Sequence, residues 1–96
     1  ITLKPGNVIS NEPGFYKKND FGIRIENLVF IKKIRSKLLF ENLTMAPIDK
    51  DLIIPESLDK NEKEWINKYH KTVFKNLKSF MNKAETLELK KVCSTI

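Results

Sequence analysis

The 96-residue sequence holds one cysteine, one histidine and two arginines, and it has no long apolar run, no internal repeat and no low-complexity tract. Cys93 cannot close a disulfide within the chain, which points to a reducing compartment and so to a cytoplasmic location. No stretch approaches the roughly 18 apolar residues that a membrane span needs, so no membrane partner is expected. The net charge of +6 comes almost wholly from lysines spread from Lys4 to Lys91. Sites that clamp phosphate or read bases favour the planar fork of arginine. The charge therefore reads as a solvated surface, and no nucleic-acid partner is expected; a salt-dependent gel shift would revive that alternative. The chain opens on Ile1 without an initiator Met, a basic and apolar leader or a lipidation motif. That start reads as a processed protein or a piece of something larger.

What is present is ordinary for a globular segment, with 41% hydrophobic and 31% charged residues. A length of 96 residues allows one domain at most, and such a domain buries only about 60 to 65% of the surface its unfolded chain exposes. The core must be thin. From Asn7 to about Ile54 the pattern is that of β-structure. "NVIS" reads as a short strand, and residues 13–21, with their Pro, Gly, Asn and Asp, read as a loop with turn chemistry. "GIRIENLVFIKKI" reads as the strongest strand, β-branched at Ile23, Ile25, Val29, Ile31 and Ile34. A third strand runs through "KLLFENLTMAP", and an antiparallel hairpin is the economical way to join the first two. Because side chains alternate faces along a strand, Arg24 and Glu26 share one face. Ile23, Ile25 and Val29 take the other, the expected core side.

After Pro47 and Pro55 the period becomes helical. Asp59 followed by Glu62 has the spacing of a capping box. Trp65, Ile66, Tyr69, Val73, Leu77, Phe80 and Met81 recur every three or four residues, which predicts an amphipathic helix over 59–82. A shorter helix over 84–93 follows. Trp65, Tyr69, Val73 and Phe80 form a stripe expected to be core or subunit contact. The expected fold class is α+β.

Two acids stand where strand and turn would more comfortably carry neutral residues: Glu12 in "SNEPG" and Glu26 in "GIRIEN". Read alone, Glu12 precedes a Pro-Gly turn, where acids are frequent, and Glu26 sits on the wet face of a strand. Two carboxylates are too few for a divalent metal, which takes four to six ligands, although they can be half of a site. If the hairpin pairs their strands, the carboxylates converge on one face and repel unless a cation, a proton or an arginine intervenes. Arg24 is placed to orient one of them.

The stretch "NVISNEPGFYKKNDFGIRIENLVFI" closely resembles a segment of the aminopeptidase P enzymes, the X-Pro aminopeptidases of the pita-bread metallopeptidase superfamily. "FENLTMAPIDKDLI" and "LDKNEKEWINKYH" resemble later stretches of the long eukaryotic-type form, so the resemblance covers nearly the whole chain. It implies that residues 1–54 are the end of a pita-bread catalytic domain, an antiparallel hairpin and sheet. Residues 55–96 are then a C-terminal helical extension, an amphipathic helix followed by a short terminal one. In the family two metal ions, usually assigned as manganese, are held by two Asp, one His and two Glu. The last two ligands match Glu12 and Glu26, and Glu12 is also a candidate catalytic group that accepts a proton from water. Tyr16 and Arg24 match second-shell or substrate-side positions. The implied reaction is hydrolysis of the bond between a free N-terminal residue and a following proline, the implied partner is a peptide with proline at its second position, and the parent is implied to be a homodimer.

The remaining ligands of the family lie upstream of the segment matched, and nothing in this chain replaces them. His70 matches a tail position with no metal role and reads as structural or surface. Asp49, Asp51 and Asp59 read as turn and cap residues. The chain alone is therefore expected to be inactive, to bind manganese no more tightly than about millimolar, and to associate through exposed strand edges. Prolidase-type Xaa-Pro dipeptidases and methionine aminopeptidases are the near alternatives, which the "APIDKDLI" and "EWINKYH" tail disfavours. A metal-free pita-bread binding module is the alternative of another class, and it usually lacks the acids retained here.

Overall fold

The computed structural model describes residues 2–96. The packing divides the chain at Thr44 and Met45 into two compact units.

The first unit is built of antiparallel strands. β1 (Val8–Asn11), β4 (Asn27–Ile34) and β5 (Lys37–Asn42) form a sheet in the order β1-β4-β5, and β2 (Gly14–Tyr16) pairs with β3 (Gly22–Arg24). Within the expected loop over 13–21, residues 14–16 thus form a short strand. Only Lys17 to Phe21 turns, closed by the Lys17 amide on the Phe21 carbonyl at 2.7 Å. Asn19, one of the few residue types that accept a left-handed backbone, carries the bend at φ 57°. The long strand expected from "GIRIENLVFIKKI" is interrupted at Ile25 and Glu26, between β3 and β4. β4 and β5 meet across Arg35-Ser36, where Arg35 also adopts φ 57°.

The expected core face is corrected by the structure. Ile23 is 42% and Ile25 47% exposed, and Ile31 is the only buried hydrophobic residue of this unit among those described. The alternation is correct, but burial needs a second layer against the sheet, and this unit has none of its own.

The second unit contains α1 (Lys60–Leu77) and α2 (Lys83–Val92). Asp59 caps α1 by accepting the Glu62 amide at 2.8 Å, a bond that holds its carboxyl below the ordinary carboxylate range. The reciprocal capping box forms at α2, where Asn82 accepts from the Glu85 amide at 2.8 Å and Glu85 accepts from the Asn82 amide at 2.9 Å. α1 ends five residues before the expected 82, because Lys78–Phe80 tighten into a 3₁₀ turn and Met81 becomes extended to deliver Asn82 to its cap. Phe80 therefore leaves the stripe and is 84% exposed. Trp65 is also largely exposed, stacked on Tyr69 with centroids 5.5 Å apart.

The core of this unit joins Tyr69 and Val73 of α1 to Leu89 and Cys93, with Met45, Ile48, Phe74, Leu77 and Met81 packed around them. Each such side chain stabilises by about 1.5 to 3 kcal/mol. The extended segment that follows residue 44 is pinned to α1 by two polar contacts. Tyr69 donates its hydroxyl to the Ala46 carbonyl at 2.6 Å, and the Ile48 amide donates to His70 Nε2 at 3.1 Å. His70 is fully buried, so it is a structural residue. Lys50 reaches the C-terminal end of α2, donating to the Lys91 and Ser94 carbonyls at 3.1 and 3.0 Å, where a cation suits the helix dipole.

Candidate metal centre

β1 pairs with β4 through Val8–Phe30, Ile9–Val29, Ser10–Leu28 and Asn11–Asn27. β2 pairs with β3 through Gly14–Arg24, Phe15–Ile23 and Tyr16–Gly22. The two ladders share one register, so they are halves of a single hairpin. The gap between them is bridged by the Ile25 amide, which donates to the Pro13 carbonyl at 3.1 Å. Continuing either ladder into the gap places Glu12 directly opposite Glu26.

Pro13 explains why the ladder breaks here, since it has no amide to return to Ile25. The bond between Ile25 and Pro13 also makes the neighbouring Glu12–Glu26 position a non-hydrogen-bonded pair, the kind in which facing side chains approach most closely. In a regular pair of this type the Cβ atoms are about 4.5 to 5.5 Å apart. Two full charges about 4 Å apart repel by about 1 kcal/mol even in water and by more in a less polar setting. Glu12 and Glu26 are both exposed, so solvent carries much of that repulsion.

Alternation puts Glu12, Gly14 and Tyr16 on the same face as Glu26, Arg24 and Gly22. Along this face Arg24 pairs with Glu26 at 3.2 Å, with both side chains about half exposed. Such a pair contributes at most about 1 kcal/mol to stability, but it fixes the orientation of one Glu26 oxygen. The β4 end beside Glu26 is also tied down, because Asn27 donates to the Asn42 side chain at 3.0 Å and the Leu28 amide donates to Thr44 Oγ1 at 2.7 Å.

The structure thus brings together Glu12, Glu26, Arg24 and Tyr16, the four residues singled out in the sequence. Asp49 and Asp59 act as caps, Asp49 accepting the Asp51 amide at 3.0 Å and Asp59 that of Glu62. No group of three or more His, Cys, Asp or Glu side chains able to hold a metal occurs among the described residues. Two facing acids with an arginine behind one of them fit part of a divalent-cation site, as donors of hard oxygen ligands. Sequence reasoning passed over Gly14 and Gly22. The available signal was their parity: each lies on the same face as Tyr16, one on its strand and one directly across.

Comparison with known proteins gives a consistent result. Residues 36–96 match the C-terminal region of peptidase M24, and residues 1–33 match metallopeptidase family M24. The probable Xaa-Pro aminopeptidase P of Botryotinia fuckeliana is 44% identical over 88 residues, covering 83% of this chain and 14% of that protein. That of Pyrenophora tritici-repentis is 44% identical over 97 residues, covering 92% and 16%. Among solved structures, X-prolyl aminopeptidase from Caenorhabditis elegans, described as a cytosolic enzyme with a di-nuclear active site, superposes with a TM-score of 0.79 at 34% identity. The match covers 98% of this chain and 17% of the other. The chain spans about a seventh of the length of the curated relatives it matches.

Proposed function

Because this chain belongs to metallopeptidase family M24, we propose that it is the C-terminal part of an aminopeptidase P that hydrolyses the N-terminal Xaa-Pro bond of peptides. The observation that carries this proposal is the register placing Glu12 opposite Glu26, with Arg24 on Glu26. The names of the relatives, and the di-nuclear site of the C. elegans enzyme, support it. Residues 1–54 would complete the catalytic domain and residues 55–96 form its helical extension, a division of roles ten residues later than the division of packing after Thr44.

Glu12 and Glu26 would supply two of the ligands for a pair of divalent cations, manganese in our proposal, with the other ligands from the preceding part of the polypeptide. When bound, such cations acidify water and stabilise the negative charge that develops on the scissile carbonyl oxygen. The chain's own groups then have separate tasks. Glu12 accepts the proton released by the attacking water, and Glu26 is held in place by Arg24. Tyr16 stands on the substrate side. A homodimeric cytoplasmic parent is part of the proposal.

The test is hydrolysis of a proline-containing peptide by the full-length protein. Glu12→Gln and Glu26→Gln should each lower kcat/KM by about a hundredfold or more; stripped of metal, each variant should melt no lower than metal-free wild type, since each removes a like-charge repulsion. Wild-type rates in both variants would refute the assignment.

A further inference from the structure

The Tyr16 ring lies flat along the hairpin. A Cβ built on Gly22, directly opposite, would lie 2.5 Å from Tyr16 Cδ1. One built on Gly14, two residues back on the same strand, would lie 2.7 Å from the hydroxyl oxygen and 2.9 Å from Cε2 and Cζ. The near edge of the ring thus occupies the space where Gly22 lacks a side chain, and its far end the space where Gly14 lacks one.

Backbone conformation does not account for these glycines. Of the three in the chain only Gly6 has a positive φ, so Gly14 and Gly22 have backbones that other residues adopt. Glycine inside a strand weakens it, and close approach by another group is a common reason for one. Here that group is the tyrosine ring. The Tyr16 hydroxyl has no hydrogen-bond partner among the described residues, and the side chain is 66% exposed. The bare backbone beneath the ring is therefore what lets the hydroxyl lie over Gly14, whose cross-strand neighbour is Arg24.

We infer that Gly14 and Gly22 are positioning residues, which keep clear the strip of backbone on which Tyr16 lies and so direct its hydroxyl along the row of Arg24, Glu26 and Glu12. The catalytic consequence rests on the aminopeptidase assignment; the placement of the ring does not. An alanine at either position meets a ring free to swing into solvent, so the loss falls on placement more than on stability.

The experiment is a double-mutant cycle in the full-length protein, with Gly22→Ala, Tyr16→Ala and the double variant assayed on an Xaa-Pro peptide, and Gly14→Ala as the parallel case. We expect each glycine variant to lose about ten- to a hundredfold in kcat with an unchanged melting temperature, and the double variant to be no worse than Tyr16→Ala alone. Wild-type activity in Gly22→Ala and Gly14→Ala, or a double variant in which the two losses multiply, would overturn the inference. If the wild type fails to cleave the peptide, the functional assignment fails by itself, and a crystal structure of the Gly22→Ala protein still decides the matter. A ring turned off the strand, its hydroxyl away from residue 14, supports the inference; an unmoved ring overturns it.

Discussion

At the scale of single residues, the pairing of Arg24 with Glu26 has a measurable consequence. Arg24→Lys keeps the charge but loses the planar fork that orients a carboxylate, and should lower activity of the full-length protein about ten- to a hundredfold; steady-state kinetics would show it. His70 makes a different prediction. Burial, reinforced by the nearby Lys50 cation, pushes its pKa below the ordinary 6.5, and the Ile48 amide already occupies Nε2. A histidine whose folded pKa is depressed binds its proton more readily in the unfolded chain. Its contribution to stability is therefore complete above about pH 6.5 and declines as the pH falls from there toward the lower folded value. His70→Ala should cost about 2 to 4 kcal/mol, combining a cavity with an orphaned Ile48 amide, and should flatten the dependence between pH 7 and 5. Chemical denaturation across that range checks both. The buried location was not legible in the sequence, because a histidine in an otherwise amphipathic helix looks the same whether its ring nitrogen accepts from a backbone amide or from water.

At the scale of elements, helices were easier to read than strands for identifiable reasons. The 3.6-residue period of Ile66, Tyr69 and Val73 spans several turns and survives errors at its ends. Its extrapolation through Phe80 fails because Asn82 caps α2, and the chain must leave the α1 helix at residues 78–81 to bring it there. Asn82→Ala should remove about 0.5 to 2 kcal/mol, more than an exposed asparagine elsewhere on the helices, as thermal melts of the variants would show. Strands β2 and β3 have only three residues each, too few for period-two alternation to outweigh the Pro13-Gly14 turn signal. The pairing of Glu12 with Glu26 was nevertheless reachable, because a hairpin has one register and both acids lie on it. The glycine strip beneath Tyr16 was not, since it depends on where a ring lies.

At the scale of the molecule, the architecture is the C-terminal part of a pita-bread α+β domain, and this explains where burial was misjudged. Alternation along β3 and β4 marks Ile23 and Ile25 as inward-facing, yet inward has meaning only when a second layer covers the sheet. Sheet faces and strand edges left open in this way favour association, so the 96-residue chain alone should sediment as more than a monomer as concentration rises. A strictly monomeric profile would contradict that. It should also bind manganese no more tightly than about millimolar, since two acids without their partner ligands chelate weakly.

The most direct test of the facing acids is metal content. Full-length protein purified with manganese, and its Glu26→Gln and Glu12→Gln variants, should be compared by elemental analysis and calorimetric titration. Two tightly held ions per wild-type chain, with loss of at least one from each variant, is the outcome predicted here. Two ions retained at undiminished affinity in both variants would contradict it.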